Sequence, residues 1–239
     1  MTAMPNIYRR RRFGVAFLIA IMIIAIGLYG QIVENQHAAD QNKHAKKIAS
    51  TTALATDVLE TLDIKGRAPK TGYTRSMFGD GWRKNGLCDT RNDILARDMQ
   101  NVKINDCKVY SGVLDDPYTG KKIYFNRGPD TSSGVQIDHV VALSDAWQKG
   151  AQLLDSATRE NLANDPLELL AVDGPANQQK SDGDAATWLP PNKSYRCRYI
   201  ARQIAVKQKY NLWITNAEYT AIKNVLTLCP SQVLPITRP

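Results

Sequence analysis

The strongest constraint on the fold is the order of the segments in the second half of the chain. Residues 135–143 and 167–172 are apolar stretches of strand length, and Gly174 and Pro175 end the second stretch. Residues 177–188 continue as a helix-like segment. Between the two strands, residues 144–154 and 156–163 have helical patterns, which predicts a helical insertion. The pattern therefore predicts two strands followed by a helix.

One chemically coherent set of polar residues lies in these segments. Asp138 and His139 stand in the first strand, and Asn177 and Lys180 stand at the start of the helix. A carboxylate and an amide carbonyl are oxygen ligands that suit Mg²⁺. Near neutral pH a histidine can take a proton from attacking water. The ammonium of Lys180 could offset negative charge on a scissile phosphate. Such a set suits hydrolysis of a phosphodiester.

The Asp138-His139 pair and the run from Asn177 to Lys180 resemble the HNH (ββα-metal) endonucleases. The similarity is greatest to the C-terminal HNH-like domain of GmrSD-type restriction enzymes and to small secreted bacterial HNH proteins. It covers residues 135–188 and implies that Asp138 and Asn177 bind a divalent metal, Mg²⁺, with His139 as general base. Glu168 stands where the family carries Asn, and the resemblance implies that Glu168 holds or polarises the base. Asn164 is the alternative source of the amide.

The resemblance implies an α+β protein with a ββα-metal (HNH-like) core, additional helices and a β-hairpin. Its implied activity is that of an endonuclease acting on nucleic acid, on DNA rather than RNA. Two other classes stay open. One is an inactive cell-envelope or nucleic-acid binding module on the same fold, for which Glu168 is the argument. The other is a cell-wall glycan hydrolase with Asp138 and Glu168 as its carboxylate pair.

The N-terminus has the pattern of an export signal or membrane anchor. Four arginines end at Arg12, and residues 13–30 carry no charge. As a helix this segment would be about 27 Å long, slightly short of the hydrocarbon core. No cleavage site follows directly, so a transmembrane helix that contacts the membrane is favoured over a cleaved signal. We expect residues 1–12 in the cytoplasm and the rest outside the cell membrane, or secreted if cleavage occurs.

The remaining chain divides by composition. Residues 31–50 are a polar stalk, residues 51–230 form the HNH-like domain, and residues 231–239 are a tail. The whole chain has a net charge of +8, and the four N-terminal arginines without any acidic neighbour leave +4 for the exported part. This mild excess is compatible with an anionic polymer as partner but does not require one. Nothing in the sequence indicates a protein partner.

Four cysteines lie in the proposed exported part, at Cys88, Cys107, Cys197 and Cys229. An even count in an oxidising compartment predicts two disulfides, with three possible connectivities. Pairing of the first two and of the last two is favoured because each pair brackets one local unit. A zinc site is the alternative, but no Cys-x-x-Cys pair flanks Asp138.

Further elements surround the core. A hairpin is predicted from residues 108–114 and 122–125, with Asp115 and Asp116 as turn formers rather than metal ligands. Asp89 and Thr215 are predicted helix caps. Four more helices are predicted, at residues 53–62, 89–99, 195–209 and 215–228.

Two segments have competing interpretations. In helix 195–209, Arg196, Arg198 and Arg202 are candidate contacts to a nucleic-acid backbone, and a solvated helix face is the alternative. Residues 73–82 are rich in glycine and aromatic residues and either shape a substrate groove or bury Trp82. Burial of Trp82 is the favoured interpretation.

Overall fold

The structure is a computed structural model that describes residues 53–235, together with Met22, Gly27 and residues 29–31. Most of the predicted membrane segment 13–30 and of the stalk 31–50 therefore lies outside the described residues, as does the tail beyond residue 235. Within the part of the chain that is described, no helix is long and apolar enough to cross a membrane. The anchor and the domain boundaries remain predictions.

Short helices and small sheets alternate along the described chain, which confirms the predicted α+β class. Strands pair in three antiparallel sheets: β1 (Lys84–Asn85) with β2 (Cys88–Asp89), β4 (Lys108–Asp115) between β3 (Gln100–Asn105) and β5 (Lys122–Asn126), and β6 (Val135–His139) with β7 (Leu169–Asp173). The helices are α1 (Ala55–Leu59), α2 (Thr90–Asp98), α3 (Leu143–Gln148), α4 (Ser156–Ala163), α5 (Gly174–Lys180), α6 (Arg196–Lys209) and α7 (Asn216–Leu226). Four 3-10 turns complete these elements, at Arg75–Phe78, Ser132–Gly134, Ala151–Leu153 and Lys193–Tyr195.

The predicted hairpin is strands β4 and β5, and β3 adds an edge strand that sequence patterning did not indicate. Asp116 forms the turn, since its carboxylate accepts a hydrogen bond from the amide of Thr119 at 2.7 Å. Its other oxygen accepts the amide of Asp173 at 2.9 Å. The turn of one sheet therefore supports the end of β7 in another.

Strand β6 ends at His139, earlier than the predicted end at residue 143. The amide of Val140 still bonds the carbonyl of Glu168 at 2.9 Å, but the amide of Val141 bonds the Glu168 carboxylate instead. The Glu168 side chain thus replaces the backbone carbonyl that would pair with Val141 in a continued strand. Helix α3 then begins at Leu143. The chain leaves the sheet directly after the Asp138-His139 pair.

Helix α5 begins and ends earlier than the predicted span 177–188. Asp173 caps it by accepting the amide of Ala176 at 2.8 Å, and Pro175 suits the first turn because it needs no amide partner there. Ser181, at φ +50°, leaves helical geometry and ends the helix after Lys180. Asn177 therefore lies one turn inside the helix rather than at its N-terminus.

The two-stranded β6–β7 sheet is buried from both sides. Ile137, Leu169 and Ala171 belong to a smaller apolar cluster with α2 and the three-stranded sheet. Leu170 and Val172 belong to a larger cluster built around the helices. Alternate residues of one strand point to opposite faces, so β7 contributes to both clusters. This double burial holds the Asp138-His139 pair between two packed cores.

A buried ion network joins α3 to α7. The Lys149 ammonium is fully buried and lies 2.8 Å from Asp145, 2.8 Å from Asp184 and 2.6 Å from Glu218. The Lys207 ammonium lies 2.9 Å from Glu218. Each buried charge has an opposite partner, as burial in a medium of low polarity requires. The predicted cap Thr215 starts α7 by accepting the amide of Glu218 at 3.2 Å.

Two disulfides join Cys88 to Cys107 and Cys197 to Cys229, which is the pairing that the sequence favoured. The second bridge spans 32 residues and connects the first turn of α6 to the segment after α7. We expect the double variant Cys197→Ser/Cys229→Ser to lose about 2–4 kcal/mol of unfolding free energy, because the open chain gains freedom when unfolded. Urea unfolding followed by circular dichroism measures the loss. Equal unfolding midpoints for variant and wild type would contradict the prediction.

Candidate active site

A cleft of about 540 Å³ opens beside β6, α5 and the start of α3. Three of the residues singled out from the sequence line it, namely Asp138, His139 and Asn177. Further side chains in its wall were not predicted as site residues: Lys70, Arg75, Arg91, Gln136, Ser144 and Asp182. Tertiary folding thus brings residues from four separate segments, 70–82, 91, 136–144 and 177–182, to one concave surface.

His139 is held by its backbone position and by two ring contacts. Its Nε2 lies 3.0 Å from the carbonyl oxygen of Ala163, at the end of α4. A carbonyl only accepts, so Nε2 carries the proton and Nδ1 of the neutral ring keeps a free lone pair. The Trp82 indole stacks on the imidazole with centroids 5.7 Å apart and planes inclined by 5°. The ring is therefore fixed in one tautomer and one plane.

Burial lowers the pKa of His139 from 6.5 to about 3, and the charge of Arg75 adds to the decrease. His139 is only 6% exposed, and its ring bonds an uncharged backbone carbonyl rather than a carboxylate, so this bond raises the pKa less than burial lowers it. At neutral pH the ring is accordingly uncharged. A neutral imidazole is the form that can accept a proton.

Asp138 is fixed by two donors behind the cleft. Its Oδ1 accepts a hydrogen bond from the Lys180 ammonium at 2.9 Å, and its Oδ2 accepts one from the Tyr118 hydroxyl. Burial raises the pKa of Asp138, while Lys180 and Tyr118 oppose that increase. The carboxylate is 5% exposed and reaches the cleft in one orientation.

Lys180 is buried rather than facing the cleft. Its side chain is 0% exposed, and its ammonium donates to Asp138 and, at 2.8 Å, to the backbone carbonyl of His139. One cation therefore contacts both members of the Asp-His pair. Asp138 and His139 are adjacent yet both line the cleft, and β6 ends at His139.

Asn177 is oriented by Gln136. The amide nitrogen of Asn177 donates to Oε1 of Gln136 at 2.9 Å, which leaves its carbonyl oxygen for a ligand. Asp138 and Asn177 together offer one carboxylate and one amide oxygen in the same cleft. Within residues 53–235, no group of three or more His, Cys, Asp or Glu side chains is arranged for a metal ion. Two oxygen donors suit Mg²⁺, which retains several waters.

Glu168 supports the backbone next to the site. Its fully buried carboxylate accepts the amide of Val141 at 3.1 and 3.2 Å, and burial raises its pKa well above the usual value. Among the described residues no hydrogen bond joins Glu168 to the His139 ring, whose partner is the Ala163 carbonyl. Asn164, the alternative amide, accepts the amide of Arg83 at 2.8 Å.

The burial of Glu168 also bears on the glycan-hydrolase alternative. That chemistry needs two carboxyl groups facing the substrate. Asp138 lines the cleft, whereas Glu168 is 0% exposed and bonds to backbone. The two carboxyl groups are not arranged as a facing pair.

The three arginines predicted to contact nucleic acid do not line the cleft. Arg196 donates to the carbonyl of Pro190 at 2.8 Å, and Arg202 donates to the carbonyl of Leu167 at 2.6 Å. Arg198 is exposed and lies over the Tyr195 ring, 5.1 Å from its centroid. Two of these guanidinium groups therefore hold backbone segments in place.

The cations that line the cleft come from irregular segments and from α2. Lys70 precedes the glycine- and aromatic-rich segment 73–82, Arg75 lies within it, and Arg91 lies in α2. The loop was interpreted as burying Trp82, but the structure leaves that ring half-buried against His139. Hydrophobic periodicity does not predict the structure of irregular segments. The clustering of Gly, Trp and Arg in residues 73–82 was therefore the only sequence signal that this segment lines a site.

The similarity to known proteins covers the part of the chain that contains the cleft residues Asp138, His139 and Asn177. The family of C-terminal domains of GmrSD restriction endonucleases matches residues 89–225. An uncharacterized secreted protein of Arthroderma benhamiae is 36% identical over 182 residues, which are 75% of this chain and 86% of that protein. No solved structure matches. Asp138, His139 and Asn177 all lie within the matched family range.

Proposed function

The chain belongs to the family of GmrSD restriction endonuclease C-terminal domains, and from that premise we propose that it is a metal-dependent endonuclease of the HNH type. Its substrate is the phosphodiester backbone of nucleic acid, DNA rather than RNA. The observation that carries the proposal is the cleft in which Asp138, Asn177 and a neutral His139 meet. Each supplies one chemical function that phosphodiester hydrolysis needs.

His139 acts as the general base. With its proton on Nε2 and donated to Ala163, the ring presents Nδ1 to a water molecule in the cleft. Water attacks phosphorus as Nδ1 takes its proton, the P–O bond to the leaving oxygen breaks, and that oxygen takes a proton from solvent. Burial is the larger cause of the depressed pKa of His139 and Arg75 is the smaller one, so a phosphate bound beside Arg75 offsets only the smaller part of the decrease.

Asp138 and Asn177 would hold the metal ion. Bound there, Mg²⁺ would supply charge stabilisation to the phosphate oxygens and the leaving oxygen. Lys180 and Tyr118 keep the Asp138 carboxylate in one orientation. Lys180 thus acts as a positioning residue behind the site rather than as a direct phosphate contact. Glu168 positions the chain that follows His139.

The positively charged side chains that line the cleft bind the nucleic-acid backbone. Lys70, Arg75 and Arg91 come from different segments and face one concave surface. Lysine and arginine at such a surface attract phosphates without reading sequence. Cleavage is accordingly expected to be largely independent of sequence and to weaken as salt rises.

The domain works outside the cytoplasm. Two disulfides form in the described part of the chain, and the similar Arthroderma benhamiae protein is described as secreted. The uncharged run 13–30 after four arginines either anchors the domain to the cell membrane or directs its secretion. An enzyme placed there can degrade foreign DNA without reaching the chromosome.

Metal dependence is tested through Asn177. We expect plasmid cleavage in the presence of Mg²⁺ to stop on addition of EDTA. Asn177→Ala removes one of two metal ligands, so cleavage at limiting Mg²⁺ should drop by about tenfold or more and recover partly at high Mg²⁺. Agarose gels across a Mg²⁺ titration measure both effects.

The matched control is Gln178→Ala, since Gln178 is the exposed neighbour on α5. Its Mg²⁺ dependence should equal that of wild type. The contrary result is a plasmid that the protein leaves intact with Mg²⁺, Mn²⁺, Ca²⁺ and Zn²⁺ and yet shifts on a native gel. That result would contradict the nuclease proposal and support the nucleic-acid binding module instead. Cleavage that persists in EDTA would remove the metal from the proposal.

A further inference from the structure

A second, smaller recess adjoins the cleft. Its volume is about 330 Å³, and it shares Arg75, Trp82, His139 and Leu143 with the cleft wall. The shared residues include the general base proposed above, so the recess and the cleft adjoin at His139.

The lining of the recess is mainly apolar. Phe78 is 2% exposed, Leu143 5% and Ala163 6%, and Trp82 adds a half-buried indole. Gly79 and Gly81, at φ +99° and +108°, also line it. A Cβ on Gly81 would meet no atom within 4 Å, whereas a Cβ on Gly79 would lie 2.9 Å from the Glu160 side chain. The recess is therefore a slot with apolar sides and a backbone edge.

The two charged residues of the lining, Arg75 and Asp80, are both exposed. Arg75 stands where the recess meets the cleft, which is a suitable place for a phosphate. Asp80 lines the recess and is exposed, so its carboxylate can accept hydrogen bonds from amino groups. An occupant that fits this pattern is attached to a phosphate and has apolar faces and a polar edge. A nucleobase has all three properties.

We propose that the recess receives the base of the nucleotide adjoining the bond that is cut, so the preferred substrate is single-stranded nucleic acid. The inference rests on the proposed nuclease function and specifies its substrate. A base inside a duplex is stacked on its neighbours and paired, and it enters a side pocket only after unstacking. In a single strand the base is free to leave the stack and bind against aromatic side chains.

Three substrates of equal length test the inference in Mg²⁺. They are a single-stranded oligonucleotide, the same sequence as a duplex, and a single strand in which every residue is an abasic deoxyribose analogue. Wild-type protein is expected to cleave the first strand about tenfold faster than either of the others, the scale of one base–aromatic stacking contact. Denaturing gels with end-labelled strands give the rates.

Filling the recess provides the matched variant. Ser76 is exposed and lines the recess, but it does not line the cleft. Ser76→Phe should lower cleavage of the normal single strand to the abasic level while changing abasic cleavage by less than twofold. Ser76→Ala keeps the recess open and should match wild type on all three substrates.

Binding without catalysis gives an independent readout. A strand carrying the fluorescent base 2-aminopurine should be quenched by wild-type protein in EDTA, because stacking in the recess quenches its emission, and not by Ser76→Phe. Equal rates on normal and abasic strands, or equal quenching by both proteins, would overturn the inference and leave the nuclease standing. If wild-type protein cleaved none of the three substrates, the proposed function would be overturned instead. The 2-aminopurine quenching would then test by itself whether the recess binds a base.

Discussion

Replacement of His139 by alanine should lower phosphodiester cleavage by about 10²–10⁴-fold, the usual contribution of a general base. Within residues 53–235, His139 is the only histidine that lines the cleft, and burial keeps its ring neutral at pH 7 although the Ala163 contact raises its pKa. Without it, no group in the described cleft can take the proton of attacking water at the same position. Initial rates of plasmid nicking measure the effect.

His139→Gln is the control that separates chemistry from folding. The glutamine amide can still donate to the Ala163 carbonyl and still pack against Trp82, but it has no basic nitrogen. We expect it to be as inactive as His139→Ala while unfolding at a temperature closer to that of wild type. Substantial cleavage by the glutamine variant would show that another group accepts the proton.

Lys180→Met should reduce the free energy of unfolding by about 3–5 kcal/mol, the usual cost of removing one partner of a buried ion pair. Methionine fills a similar volume but leaves the Asp138 carboxylate buried with the Tyr118 hydroxyl as its remaining donor. The carbonyl of His139 also loses its donor. Urea unfolding gives the free energy, and the same variant should cleave poorly because Asp138 is no longer held.

The double variant Asp138→Asn/Lys180→Met distinguishes the ion pair from packing. Removing both charges should restore most of the lost stability but not the activity, since a neutral amide replaces the carboxylate proposed to bind the metal ion. Lys65→Met serves as the surface control, because the Lys65–Asp63 pair is largely exposed and contributes little. A Lys180→Met protein as stable as the surface control would show that Asp138 and Lys180 are not coupled.

Local patterns were sufficient for much of the fold. The hairpin β4–β5, the cap of α2 by Asp89 and the cap of α7 by Thr215 were all predicted, because each depends on neighbours within a few residues. The ends of β6 and α5 were predicted less well. Strand β6 ends because the carboxylate of Glu168, the residue before β7, accepts the hydrogen bond of the Val141 amide. The spacing of apolar residues within 135–143 does not predict that contact.

The candidate site divides in the same way. Asp138, His139 and Asn177 were singled out by residue type and order, and all three line one cleft. The positions of Lys180 and Glu168 behind the cleft were not predictable, because burial depends on what packs from elsewhere. Nor were the cations Lys70 and Arg75, which come from an irregular segment before the core.

The sequence by itself determined the chemistry that is available: one histidine in residues 135–188, its aspartate neighbour, a following asparagine and four cysteines in two local pairs. Only the tertiary structure decided what each group does. Contacts from Ala163 and Trp82 set the tautomer and the plane of His139, and Lys180 sets the orientation of Asp138. These contacts join residues 24 to 57 positions apart, and hydrogen-bond direction and burial depend on such distant partners rather than on local spacing.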